Sequence, residues 1–572
     1  MTISRLSKLS AMALAAMLAA PALARAEGAQ GGDNAACLSC HGTPGFSLKE
    51  SDGRTRSLFV PAEGFAHSAH GALPCLACHA GMAEVPHKAV TASPLELRRH
   101  IPELCGSCHA KALADYRNSV HGKALAAGAG SAAVCTDCHG AHGVMNPQLP
   151  ATRLAITKDC ATCHAGAAAS YRETYHGQIL ALGYAKTATC ADCHRGHAIL
   201  PASESGSSVS RANLLRTCRN CHSNATAGFG TFEAHATTDD FARYPYSWLA
   251  SKLLIALMVS VFGLLWPHSA LWFYRELRDR QARKARPHVR AEALPPGGAR
   301  QYRRWSAAWR LAHLVFVLSV MTLIVTGLPL LYPTAPWAKL LEAASGGPGV
   351  AGLAHRIAAV IMTAIFLGHL VYAALHLGRI WKSFKWFGPY SLLPNWQDAK
   401  DFLAMNKWFF GLAPRPRFDH WNYLQKIDYW GPFWGIAILA GTGLMLWFAP
   451  LTAAYLPGWA INAATVAHGE DALFATLYLF TIHYFVNHWR PDKFPLDIVI
   501  FTGSMPLEEF KREYALEYER LEARGELERY LVEVPSRPMT LGSQILGFAL
   551  VAVGVLVLAM IVTGASGMFA GG

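Results

Sequence analysis

The stretch CGSCHAKALADYRNSVHGKALAAGAGSAAVCTDCHGAH, residues 105–142, returns at 160–197 as CATCHAGAAASYRETYHGQILALGYAKTATCADCHRGH. Cys105, Cys108, His109, His121, Cys135, Cys138, His139 and His142 reappear as Cys160, Cys163, His164, His176, Cys190, Cys193, His194 and His197. The repeat preserves cysteines and histidines above all, so the unit exists to hold something those side chains bind.

All 14 cysteines of the chain lie before residue 222, and each belongs to a Cys-x-x-Cys-His motif. The motifs are Cys37, Cys40, His41; Cys75, Cys78, His79; Cys105, Cys108, His109; Cys135, Cys138, His139; Cys160, Cys163, His164; Cys190, Cys193, His194; and Cys218, Cys221, His222. Disulfides, zinc sites and redox dithiols do not require a histidine directly after the second cysteine. Seven occurrences out of seven therefore predict seven covalent c-type haems, with two thioethers fixing each porphyrin and the adjacent histidine as proximal iron ligand.

Electron-transfer haems usually fill both axial positions. Nine histidines of the region lie outside the motifs: His67, His70, His87, His100, His121, His142, His176, His197 and His235. His121 and His176 share an S/T-x-H-G setting, His142 and His197 follow their motifs by three residues, and His235 follows the last motif at a similar spacing to His121 and His176. With His70 and His87 these make seven distal candidates. His67 competes with His70, and His100 has no counterpart in the repeat.

The chain has 572 residues, is 52% hydrophobic and carries a formal charge of +13. The basic residues gather beside apolar spans, which speaks for membrane orientation and against nucleic acid as a partner. Residues 1–26 have the basic start, apolar run and small-x-small end of a secretory signal peptide. Residues 27–240, rich in Ala, Gly and Ser, read as a periplasmic heptahaem domain of short helices and loops whose porphyrins form the interior. Six apolar spans follow, at about 248–274, 308–332, 352–377, 429–450, 466–488 and 541–564. This divides the rest into a first transmembrane helix (247–275), a basic cytoplasmic linker (276–305), a membrane domain (306–504), a solvated, charged cytoplasmic helix (505–539) and a C-terminal transmembrane helix (540–572). The basic loops 275–290 and 379–386 face the cytoplasm by the positive-inside rule, and the poorly charged loops 333–351 and 451–465 the periplasm. The fold class is mostly α: a haem-packed c-type domain followed by a transmembrane bundle of about six spans, placed in a bacterial inner membrane.

Histidines inside apolar spans are costly unless ligated or paired. His355 and His369 share the third span, and His468 and His483 the fifth; members of each pair fall roughly on one helix face, about 21 Å apart along the axis. That spacing suits two stacked haems. His313 lies near the cytoplasmic end of the second span.

R-L-A-H313-x13-G-L-P-L, A-H355-R-I-A, W-N422-Y-L-Q-K-I-D-Y-W and A-H468-G-E…T-I-H483-Y…R-P-D-K-F-P resemble the dihaem cytochrome b subunits of formate dehydrogenases and nickel-iron hydrogenases, over about 305–505. The resemblance implies a four-helix bundle with two non-covalent b haems, His355 and His468 holding the periplasmic-side one and His313 and His483 the cytoplasmic-side one. His369 departs from the pattern, since it competes with His313. The resemblance also implies a quinone beside the cytoplasmic haem, with Asn422, Gln425, Lys426 and His488 as candidates; Asn422 could equally cap its helix. A multihaem c domain ahead of a dihaem b domain is similar to inner-membrane, quinone-linked cytochromes of bacteria that respire extracellular or periplasmic acceptors. The implied activity is that of a quinol:cytochrome c-type oxidoreductase. It would pass electrons from menaquinol or ubiquinol to a periplasmic or outer-membrane cytochrome, or in reverse. The alternatives are a quinol-dependent terminal reductase with one open c haem, and an electron-transfer anchor for a partner dehydrogenase.

Overall fold

The computed structural model describes residues 32–49, 53, 55–88, 92–285 and 300–570; the signal-peptide segment and most of the basic linker lie outside them. Two compact units emerge, one of residues up to Asp159 with Gly196–Ile199, the other of Cys160–Arg195 with Leu200 onward. The first four motifs thus belong to one unit, and the last three share a unit with the apolar helices.

The first unit is built from short helices and one small hairpin, β1 (Ser47–Lys49) against β2 (Thr55–Ser57). Its repeat segment holds α1 (Ala110–Asn118) and α2 (Val120–Ala126). Ser119 ends the first helix and caps the second, accepting from Gly122 N at 3.1 Å, the expected use of a short hydroxyl side chain at an N-cap. In the second unit the same device recurs between α3 (Ala165–Arg172) and α4 (Tyr175–Ala181), where Thr174 accepts from Gly177 N at 3.2 Å. The glycines are obligatory: a Cβ on Gly122 would meet Tyr116 O at 2.1 Å, and one on Gly177 would meet Tyr171 O at 2.2 Å. These tyrosines also brace the turn, bonding Ala133 O and Ala188 O. The repeat therefore preserves more than its cysteines and histidines. Tyr116/Tyr171, Gly122/Gly177 and the capping carboxylates Asp137/Asp192 hold the chain in the path that presents them.

Five described helices are long and apolar enough to cross a membrane: α5 (Pro245–Ala285, apolar to Ala282), α6 (Ala307–Leu331), α7 (Gly347–Ile380), α8 (Tyr423–Trp447) and α10 (Arg537–Ala570, to Ser566). The fifth expected span, 466–488, is divided. It begins as α9 (Trp459–Tyr478) and continues through π-helical turns at Leu479–His483 and Phe485–Trp489. Helices α6 and α7 pack as one hairpin, α8 and α9 as another, and α5 lies along α9. An aromatic core of Phe262, Trp272, Trp408, Phe409, Tyr423 and Phe485 joins α5 to the bundle, and a second core around Met321, Phe480, Tyr484, Val557 and Ile561 joins α10.

At one end of these helices, residues 226–233 of the last haem-motif segment are docked. Thr226 Oγ1 donates to Ala453 O at 2.7 Å, Gly458 N donates to Thr231 Oγ1 at 2.7 Å, and Asn462 pairs with the Glu233 backbone at 2.8 and 3.1 Å. At the other end the structure corrects the expectation for 505–539. Instead of one solvated helix, the segment forms β4 (Ser504–Pro506), helices Leu507–Glu513 and Ala515–Ala523, and β5 (Leu531–Glu533). Both strands pair antiparallel with β3 (Arg300–Arg303), in the order β4-β3-β5. The reason is charge: Glu513 and Glu517 are buried rather than solvated, because Arg490 and Arg415 reach Glu513 at 2.9 Å and His420 reaches Glu517 at 2.6 Å. A buried carboxylate is tolerable only when it is paired in this way.

Burial alone would raise the Glu513 carboxyl, but Arg490, Arg415 and Lys493 hold it well below the usual carboxylate range. A depressed carboxyl contributes stability above its unfolded pKa, about 4.3, and loses it as pH falls toward the folded value. Glu513→Gln should destabilise the full-length protein by about 3–5 kcal/mol at neutral pH, the cost of breaking a buried pair, and flatten the acid limb of its thermal-stability profile. An unchanged acid limb would remove this network from the acid response. Separately, Gly122→Ala and Gly177→Ala should each lower the haem c content of the purified protein, measured per polypeptide. Full content in both would show that the close helix junction is dispensable.

Candidate haem-binding sites

None of the 14 thiols is in a disulfide, as attachment chemistry requires. First cysteines of successive motifs meet at hydrogen-bond contact: Cys37 with Cys75, Cys105 with Cys135, and Cys160 with Cys190. Cys78 neighbours Cys105 and Cys108, and Cys193 neighbours Cys218 and Cys221. Within each unit the attachment points therefore follow one another in sequence order.

In the first unit the rings of His41 and His87 lie 6.0 Å apart between centres, His109 and His70 6.0 Å, His79 and His142 6.1 Å, and His139 and His197 6.0 Å. In the second unit His222 and His176 are 6.0 Å apart, and His194 and His235 6.3 Å. The spacing is one that an intervening ion would leave. Two imidazoles on opposite sides of one ion, each with a metal–nitrogen bond of about 2 Å and roughly 1 Å from nitrogen to ring centre, have centres about 6 Å apart. A direct hydrogen bond between the rings would draw the centres in to about 5 Å. Each pair joins a motif histidine to one outside the motifs, so the residues fit iron bound from both faces. Several rings also use Nδ1 elsewhere, which leaves Nε2 for a metal. His41 Nδ1 meets Leu58 O at 2.9 Å, His87 Nδ1 meets Lys88 O at 3.0 Å, and His235 Nδ1 meets Ser170 Oγ at 3.0 Å.

Six of the seven distal candidates thus face a motif histidine of their own unit; the seventh, His121, lies on α2, and His164 precedes α3. Of the 67/70 pair, the His70 ring faces that of His109, and His67 Nδ1 lies 2.8 Å from Glu63 O. Partnership also crosses the motif order. His142, three residues beyond the fourth motif, faces the second, and His197, just past the sixth, faces the fourth.

Among the membrane helices, His355 on α7 and His468 on α9 lie 6.3 Å apart at an interplanar angle of 59°, the same spacing as in the cysteine-bearing segments. His468 follows on α9 six residues after Asn462, where Glu233 is docked. Toward the opposite end, His313 is within electrostatic reach of His483 and His488, although no ring pair at 6 Å joins it to another histidine among the described residues. A π-helical turn bonds at i+5, so residues five apart come to one face; this accounts for His483 and His488 both approaching His313. His483 Nδ1 lies 3.3 Å from Asp428 Oδ2, and Asp428 also accepts from Tyr478 at 2.8 Å. His369, the competitor of His313, spends its Nε2 on the Tyr429 hydroxyl at 2.9 Å.

The quinone candidates are placed less favourably. Asn422 caps α8 in a reciprocal capping box with Gln425, Gln425 Nε2 donates to Tyr514 at 2.7 Å, and Lys426 is buried against Asp398 at 2.9 Å. His488 keeps a buried Nδ1 without a hydrogen-bond partner. Sequence reasoning passed over His268, buried in α5 with Nε2 2.8 Å from the Tyr423 hydroxyl. It also passed over Thr326 and Thr442, which meet His355 and His468 at 2.9 and 3.0 Å. A signal for the threonines was present: T-G-L-P-L at 326–330 and T-G-L-M-L at 442–446.

These placements separate the histidines experimentally. His70→Ala should convert one c haem from low to high spin in the oxidised visible spectrum, whereas His67→Ala should leave the spectrum unchanged; the opposite pattern would exchange their roles.

Residues 126–169 match the family described as a doubled CXXCH motif. No curated protein and no solved structure matches the chain. The matched segment contains the fourth motif and the fifth, which lie on either side of the boundary between the repeat's two copies. Motif-borne covalent haem c and apolar helices long enough to cross a membrane together describe a multihaem c-type cytochrome fitted to electron transfer at a membrane.

Proposed function

We propose that this protein passes electrons between membrane quinol and a periplasmic acceptor through two b haems and seven c haems. One observation carries the reading: the opposed-imidazole spacing of about 6 Å found at the cysteine-bearing motifs recurs between His355 and His468 inside the apolar helices. One ligand chemistry thus extends from the tethered sites into the membrane portion. Haem iron supplies the one-electron redox chemistry, while the chain supplies position, axial ligands and outer hydrogen bonds. The docking of 226–233 near the start of α9, the helix of His468, favours transfer from that site to the seventh motif, and the meeting cysteines favour transfer between successive motifs within each unit. In the proposed topology that end faces the periplasm, and His313 and His483 hold the second b haem toward the cytoplasm.

For quinol, His488 is the candidate best able to act. Its unpartnered Nδ1 can take a quinol proton, and Asp428 and Tyr478 line the same neighbourhood through His483. Asn422, Gln425 and Lys426 instead shape that end of the bundle.

Menaquinol or ubiquinol added to the oxidised full-length protein should reduce the b bands first and the c bands after them. His488→Ala should slow this reduction by about 10²-fold, the lower range for a lost general acid–base group. Failure of both quinols to reduce the b bands would favour an anchor for a partner dehydrogenase. A high-spin c haem that binds cyanide would favour a terminal reductase.

A further inference from the structure

Helices α6 and α8 each carry Thr-Gly-Leu-x-Leu, and each is followed in its hairpin by the helix bearing His355 or His468. The geometry is duplicated as well. Thr326 Oγ1 lies 2.7 Å from Thr322 O and 2.9 Å from His355 Nδ1; Thr442 Oγ1 lies 2.6 Å from Ile438 O and 3.0 Å from His468 Nδ1. A hydroxyl has one hydrogen to donate. The carbonyl four residues back takes it in both helices, so the oxygen can only accept from Nδ1–H. A neutral imidazole with hydrogen on Nδ1 has its lone pair on Nε2, the nitrogen then left for iron. The glycine after each threonine keeps the ring's flank clear: a Cβ there would sit 3.5 Å from His355 Cε1 and 3.3 Å from His468 Cε1.

We propose that Thr326 and Thr442 are positioning residues for a b-type haem, a device used once in each helical hairpin. They fix the tautomer and plane of His355 and His468 and turn both Nε2 lone pairs toward one iron. The inference rests on the reading that these histidines bind haem b. Outer partners of metal-bound histidines are worth about 10–100-fold in metal affinity, so the threonines decide how firmly a non-covalent haem is held.

The test uses the full-length protein and compares Thr326→Val, Thr442→Val and the double variant with Thr326→Ser and Thr442→Ser. Haem b and haem c are counted by pyridine haemochrome, and the b haems are followed by low-temperature electron paramagnetic resonance. Each valine should weaken retention of one b haem by about tenfold and shift its low-spin signal, with the double variant at about 10–100-fold. Serine should restore both readouts, and the c haem count, which reports folding in the same sample, should not change. Valine variants with wild-type b content and signal would overturn the inference alone. A wild-type protein without a b band would remove the reading beneath it.

Discussion

Two imidazoles held about 6 Å apart, face to face or tilted, form the constraint that recurs through this structure. Side chains that leave such a space between them contribute little packing of their own, which explains why segments rich in Ala, Gly and Ser fold into short capped helices instead of a conventional core. The few large groups retained there, such as Tyr116 and Tyr171, brace turns rather than fill volume. Tethering the porphyrin through two cysteines fixes one face, and the second histidine must then arrive from elsewhere in the chain. The rings that face the motif histidines come from neighbouring modules, His142 beside the second motif and His197 beside the fourth, so segments distant in the chain are drawn together.

The apolar helices meet the same constraint with different means. No cysteine lies in these helices, so hydrogen bonds are what orient their histidines. The hydroxyls of Thr326 and Thr442 do this at His355 and His468, and the carboxylate of Asp428 stands beside His483. These outer partners differ in kind. A carboxylate makes a neighbouring imidazole more basic than a neutral hydroxyl does, so the two ends of the bundle present unlike electronic environments. The π-helical turns at 479–489 serve the second end by bringing His483 and His488 to one side, a placement that a regular α-helix does not give.

Much of this was legible beforehand. Seven Cys-x-x-Cys-His motifs admit one chemistry, and of the six spans that hydropathy marked, five are described helices long and apolar enough to cross a membrane. His142, His176 and His197 stood out as distal candidates because the repeat preserves them, His235 by its spacing from the last motif, and His70 and His87 because seven candidates were needed among nine histidines. The charged segment 505–535 was read wrongly: alternating charge looks the same whether it meets water or a buried Arg490, and only the fold supplies the partner. Asn422 had two readings at the outset, and the reciprocal bond with Gln425 shows the capping one.

The amino-acid sequence by itself determined the covalent cofactor chemistry, the number of attachment motifs and the apolar segments, because each is written in contiguous residues with fixed spacing. Only the tertiary structure decided which histidine faces which, that the motif order and the partner order differ, and that Thr326 and Thr442 on neighbouring helices meet His355 and His468. Those are relations between residues far apart in the chain, and no local pattern records the distance or angle at which two side chains finally meet.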